Sequence, residues 1–191
     1  MKDLICTIKK CALCAQDLPL EPKPIVTGQE NSKIIIISQA PGIKAHRSGI
    51  AWNDKSGKRL RQWLHVSETD FYNSRNFAVL PMGFCYPGKA KTGDLPPQKI
   101  CAPTWHSQML NEFTHVELVL LIGAYAQKYY LKATAKQNLT ETVGAYKTYL
   151  PKYFPMPHPS PTNRFWLSKN PWFETLVVPK LQKIVADILV N

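Results

Sequence analysis

Lys33-Ile34-Ile35-Ile36-Ile37-Ser38-Gln39-Ala40-Pro41-Gly42 decides the fold. Four consecutive isoleucines suit a strand buried on both faces, as strands of parallel sheets are. That strand is expected over Lys33–Ser38, and the Pro-Gly loop after it lets backbone come close to a ligand. Loops leaving the carboxyl ends of an open parallel sheet line one shared crevice, and ligands bind there.

Working outward, further strands are expected at Asn76–Pro81, Glu117–Ile122 and residues 153–156. Helices are expected between them. A cysteine-bearing one covers residues 6–16. Another covers Ser56–His65, with Leu60, Trp63 and Leu64 as its apolar stripe and Arg59 and Arg61 facing outward. Gln98–Phe113 reads as helix interrupted near Pro103, and Gly123 opens one running to about Leu131. Leu139–Leu150 is a candidate with Thr140 as N-cap, and Pro171–Val190 closes the chain as an amphipathic helix. Strands alternating with helices imply a parallel sheet covered on both faces.

Length and composition set the frame. At 191 residues the chain fits a single domain, 1–191, with 45% apolar residues and no internal repeat or dividing linker. No run of 18 apolar residues occurs, and the start, Met1-Lys2-Asp3-Leu4-Ile5-Cys6, is too short in its apolar part for a secretory signal. A cytoplasmic protein with no membrane partner is the expectation. The net charge of +11 favours polyanions, since each phosphate neutralised releases counterions. An inert basic surface is the plainer alternative.

Five cysteines in such a chain argue against a disulfide framework. Cys11 and Cys14 form a Cys-x-x-Cys pair, and Cys85 and Cys101 bound a loop rich in Gly, Pro and Lys. Four thiolates from two segments can close a zinc or iron-sulfur site, and unligated thiols are the third possibility. Cys6 is left over.

His158-Pro159-Ser160-Pro161 follows the last expected strand, as Gln39–Gly42 follows the first. Together with Leu121-Ile122-Gly123-Ala124-Tyr125-Ala126 and the cysteine spacing, these segments resemble the uracil-DNA glycosylase superfamily, most closely its iron-sulfur-containing branches. The resemblance spans nearly the whole chain, from Cys11 to Glu174. It implies an α/β fold, a three-layer αβα sandwich with a four-stranded, mainly parallel central sheet. It implies a monofunctional hydrolase of base excision repair that acts as a monomer on DNA, drawing one base out of the stack. It also implies a [4Fe–4S] cluster on Cys11, Cys14, Cys85 and Cys101.

By the same resemblance His158 contacts the base carbonyl, and Gln39, Ala40, Pro41, Gly42 and Trp52 surround the base. Trp52 is equally a candidate for the core. Where the best-known branch has a water-activating Asp in the first motif, this chain has Ala40. Asp54 is the nearest replacement, with His46 beside it, although Asp54 also suits the cap of the helix starting near Ser56. Related enzymes read uracil with an Asn at the end of the second strand. Here that strand ends Leu80-Pro81-Met82-Gly83-Phe84, so backbone groups of Met82 or Phe84 are the substitutes. Ser160, Pro161 and Asn163 are expected to grip phosphates beside the lesion, with Lys89, Lys91 and Lys99 as a basic patch. Phe165 or Trp166 would fill the gap left by the base. The missing Asp and Asn keep a non-catalytic damaged- or single-stranded-DNA-binding protein of the same fold as the alternative. A redox- or metal-sensing protein built on the cysteines is a third class.

Overall fold

All four isoleucines of residues 34–37 are buried, and they divide between two cores. Ile34 and Ile36 pack with Trp63, Phe77, Phe154 and Leu181, while Ile35 and Ile37 pack with Ala78, Leu80, Met109 and Ala126. Alternation along a strand sends successive side chains to opposite faces, so a strand apolar at every position must be covered twice.

The computed structural model describes residues 1–190. In chain order its elements are α1 (Lys2–Lys9), β1 (Ile34–Ile37), α2 (Ile43–Ser48), α3 (Lys55–Leu64), α4 (Glu68–Tyr72), β2 (Phe77–Val79) and α5 (Cys101–Asn111). There follow β3 (Leu118–Ile122), α6 (Ala124–Leu131), α7 (Leu139–Gly144), β4 (Tyr153–Met156), α8 (Arg164–Lys169) and α9 (Val178–Val190). The strands form one parallel sheet in the order β2-β1-β3-β4, with Ile34 beside Phe77 and Leu118, and Ile122 beside Met156. Connections from β1 and β3 leave toward opposite sides, which opens the crevice at their carboxyl ends. This is the expected α/β architecture.

Several boundaries differ from the sequence reading, each for a local reason. The first helix ends at Lys9, so Cys11 and Cys14 lie in the turn beyond it, not within residues 6–16. Pro103 does not interrupt α5. It sits in the first turn, where its missing N–H would have had no intrahelical partner. Asn138, not Thr140, caps α7 by accepting the Glu141 N–H at 2.9 Å; Thr140 instead accepts the Trp166 indole N–H at 2.9 Å. A π-helical turn, Phe173–Val177, precedes α9, just where Pro179 has no N–H to give back. Arg59 and Arg61 do not point into water. The Arg61 guanidinium lies over Phe71 and Tyr72, and Arg59 reaches the Ser160 carbonyl at 3.5 Å.

Candidate active site

The loops after β1 and β4 meet at one cavity of about 510 Å³ at the carboxyl end of the sheet. Gln39, Ala40, Pro41 and Gly42 form one side, and His158, Ser160, Pro161 and Asn163 another. Trp52 and Asp54 complete the wall between them. Gly123, at the end of β3, has φ of +83°, and a side chain there would come within 3.9 Å of the His158 Cβ.

His158 is the best-defined group. The Ser160 backbone N–H donates to its Nδ1 at 3.2 Å, so the neutral ring carries its proton on Nε2. Burial pushes its pKa down to about 4, and the charge of Asp54 pulls the other way with less force. At neutral pH it is therefore an uncharged imidazole with a fixed N–H donor. Asn163 holds the loop by donating its amide to the His158 carbonyl at 2.8 Å, which makes it a positioning residue as well as part of the cavity wall. Ser160 shares a 2.8 Å hydroxyl contact with Thr162.

Trp52 lies alongside His158, ring centroids 5.5 Å apart and planes 29° from parallel. It belongs to the core and to the cavity wall together, only 9% exposed. Its backbone is left-handed, φ 59°, a conformation uncommon for a bulky residue. Gly57 makes room for it: a Cβ there would stand 1.7 Å from the Trp52 carbonyl oxygen. The start of α3 can approach this loop only because residue 57 is glycine.

Asp54 takes both positions allowed to it by the sequence. Its Oδ1 accepts the Gly57 N–H at 2.8 Å, capping α3, and the residue lines the cavity within electrostatic reach of His158. His46 does not line the cavity. Its ring packs 6.1 Å from Tyr86, and burial together with Lys23 and Arg47 lowers its pKa.

Met82 is not at the cavity either. Its side chain is buried in the second core and its N–H is taken by the Ser38 carbonyl at 2.7 Å. The Phe84 carbonyl is likewise taken, by the Ile25 N–H at 2.8 Å. Neither residue suggested by the sequence as a backbone substitute lines the cavity.

Several groups at the cavity escaped the sequence reading. Lys44 and Lys55 stand on its rim. Asp94 comes from the long loop between β2 and α5, where Lys89 and Asp94 pair as a short antiparallel bridge. The Gln39 amide ties this hairpin down by donating to the Leu95 carbonyl at 3.0 Å. One Asp94 oxygen stands 3.5 Å from where a Gly42 Cβ would be, and the other is 3.7 Å from the Lys89 ammonium. No local pattern marks Asp94, because a loop fold carries it there.

Three of the expected cysteine ligands are buried, Cys14, Cys85 and Cys101, and Cys11 is half-buried. Cys14 and Cys101 lie close enough for each thiol to shift the titration of the other. Burial pushes the Cys85 thiol up to about 12 and Cys101 to about 11, and negative charge on the neighbouring thiols would push both further. Backbone groups of Lys23 and Phe84 hydrogen-bond Cys85 and Cys101 and favour their thiolates. Among the described residues no three Cys, His, Asp or Glu side chains converge tightly enough to hold a single metal ion. Cys6 is exposed and apart.

The sequence profile of the uracil DNA glycosylase superfamily matches residues 25–182. This chain belongs to that superfamily. A candidate uracil DNA glycosylase from Methanosarcina acetivorans, solved by solution NMR, superposes with a TM-score of 0.47 at 12% identity, over 83% of this chain and 94% of that one. As a superfamily member the protein is of a DNA glycosylase family, with DNA as the family's partner. No helix among the described residues is long and apolar enough to cross a membrane.

Proposed function

We propose that this protein is a monofunctional glycosylase that hydrolyses the N-glycosidic bond of uracil or a related deaminated base in DNA. The observation that carries this reading is the neutral His158, its proton on Nε2, at a cavity walled by Trp52. As the bond from C1′ to the base nitrogen breaks, its electron pair passes to the base and charge gathers on the carbonyl oxygen. The Nε2–H of His158 stabilises that oxygen, and a donor fixed before the reaction needs no reorganisation. A base reaches this depth only after leaving the stack, and Trp52 offers it a flat surface.

Water supplies the hydroxyl that bonds to C1′. Asp54 uses Oδ1 to cap α3 and has Oδ2 left to orient that water and take its proton. Lys44, Lys55 and the Ser160 hydroxyl at the rim hold flanking phosphates, positioning the strand without reading sequence. Phe165, 66% exposed on α8, suits the gap left by the base, whereas Trp166 is tied to Thr140 and packs against the core.

Cys11, Cys14, Cys85 and Cys101 would hold a [4Fe–4S] cluster. Their all-sulfur chemistry and the N–H groups aimed at two of them fit such a group. Bound there, the cluster supplies a cross-link between the segment after α1 and the start of α5. A brown protein absorbing near 400 nm, roughly where thiolate-ligated clusters absorb, would support it; a colourless, stable, iron-free protein would exclude it.

The decisive test of function is a base-release screen on oligonucleotides bearing uracil, hypoxanthine, xanthine and ethenocytosine, single- and double-stranded. Release of at least one base, read by strand cleavage after alkali, is expected. Tight binding with no release from any of them would leave the non-catalytic reading, which the commitment of one Asp54 oxygen to the helix cap favours.

A further inference from the structure

Ser38, the residue after β1, is 4% exposed and lines the cavity. Strand alternation places its side chain on the face of Ile34 and Ile36, the side on which Trp52 lies. Among the described residues, no protein group hydrogen-bonds its hydroxyl, although the Ser38 carbonyl is firmly held by the Met82 N–H. Its oxygen is not sealed off from solvent, so it is reachable from the cavity, where an entering group can become its partner.

The neighbouring groups on the cavity floor are already occupied. Pro81 has no N–H, and its carbonyl accepts from His106 Nε2 at 3.0 Å. The Gly83 N–H goes to the Gln39 carbonyl at 3.0 Å, and the Gln39 amide nitrogen to Leu95. The Ser38 oxygen is thus a polar group at the end of the sheet with its hydrogen-bonding capacity still open.

We propose that the Ser38 hydroxyl reads the lactam edge of the base in the cavity, and reads it permissively. This rests on the cavity being a base pocket, as argued above. A hydroxyl gives one hydrogen, accepts two and rotates to suit its partner. It can donate to the carbonyl of a lactam or accept from its N–H. His158, by contrast, presents only an N–H and demands a carbonyl opposite. The combination selects bases with a carbonyl toward His158 and tolerates either member of the C(=O)–N–H pair toward Ser38. Uracil, hypoxanthine and xanthine all carry such an edge.

The test compares wild type with Ser38→Ala and with Ser38→Thr, which keeps the hydroxyl. Each is measured for single-turnover base release from duplexes with one uracil, hypoxanthine or xanthine. Equilibrium binding to those duplexes and to one with a tetrahydrofuran abasic site is measured in parallel. Ser38→Ala is expected to lose about five- to tenfold in kcat/KM on the base wild type prefers, as for one neutral hydrogen bond. Tetrahydrofuran-DNA binding should not change, and Tm should stay level or rise because no protein contact is removed. Ser38→Thr should stay close to wild type. Equal rates for Ser38→Ala and wild type on all three bases would overturn the inference and leave the glycosylase reading standing. A wild type that releases nothing, yet prefers base-bearing over tetrahydrofuran DNA through a hydroxyl that Ser38→Ala removes, would keep the inference and overturn that reading. A wild type showing neither release nor preference would overturn both.

Discussion

His106 and His158 are both recessed, both held down to a pKa of about 4 by burial, and both neutral at physiological pH. They differ in what their nitrogens touch. His106, on α5, gives its Nε2–H to the Pro81 carbonyl at 3.0 Å and accepts the Tyr130 hydroxyl on Nδ1 at 2.5 Å. Its ring is stacked on Phe84, and it is 1% exposed. His158 spends only Nδ1 on its own loop and keeps the Nε2–H at a cavity. A depressed pKa alone therefore does not separate a structural histidine from a catalytic one. The uncommitted donor does, because only it can stabilise charge that appears during a reaction.

The strongest way to break this comparison is His158→Ala. Base release should fall at least tenfold, and up to the hundredfold typical of losing one such donor, while DNA affinity is nearly unchanged. Equal losses of binding and rate would contradict it. His106→Leu should do the reverse. A buried phenol and a carbonyl lose their partner, at a cost of roughly 2–4 kcal/mol in unfolding free energy, with the rate per folded molecule kept; denaturant titration and active-site-normalised kinetics separate the two.

Asp54 sharpens the picture on a smaller scale. Asp54→Ala should cost about 1 kcal/mol through loss of the α3 cap, and Asp54→Asn should restore that stability. If base release stays low in Asp54→Asn, the carboxylate acts on the water; if the rate recovers with the cap, its role is structural.

The smallest expected effect on base release is that of pH, whereas its effect on stability is substantial. Both histidines have folded pKa values below the unfolded value of about 6.5, so between about 6.5 and 4 the unfolded chain binds more protons. Stability is then full above that window and falls as the pH drops through it. Base release should show no inflection near pH 6.5, since His158 is neutral on both sides of it; a pH–rate profile reads this directly.

The sheet was legible because its strands are short apolar runs with one possible covering, as in Ile34–Ile37. Its helices were less so. α2 and α4 are too short to show a period, and the ends of α5 and α7 depended on single caps and prolines. At the cavity, the Gln39–Gly42 and His158–Asn163 loops were visible from sequence because prolines and glycine mark them and strands precede them. Asp94 was not, because it arrives on a hairpin whose anchor is a side-chain bond from Gln39.

By itself the sequence determined the parallel sheet and its strand-end loops, since apolar runs and turn residues act over a few neighbouring positions. It also determined which residues could supply a donor or a sulfur ligand. Only the tertiary structure decided which histidine keeps a free N–H, that Trp52 rests against Gly57, and that Ser38 faces the cavity. Those outcomes depend on which groups distant in the chain satisfy each other, and hydrogen-bond partners of that kind leave no periodic trace in the order of residues.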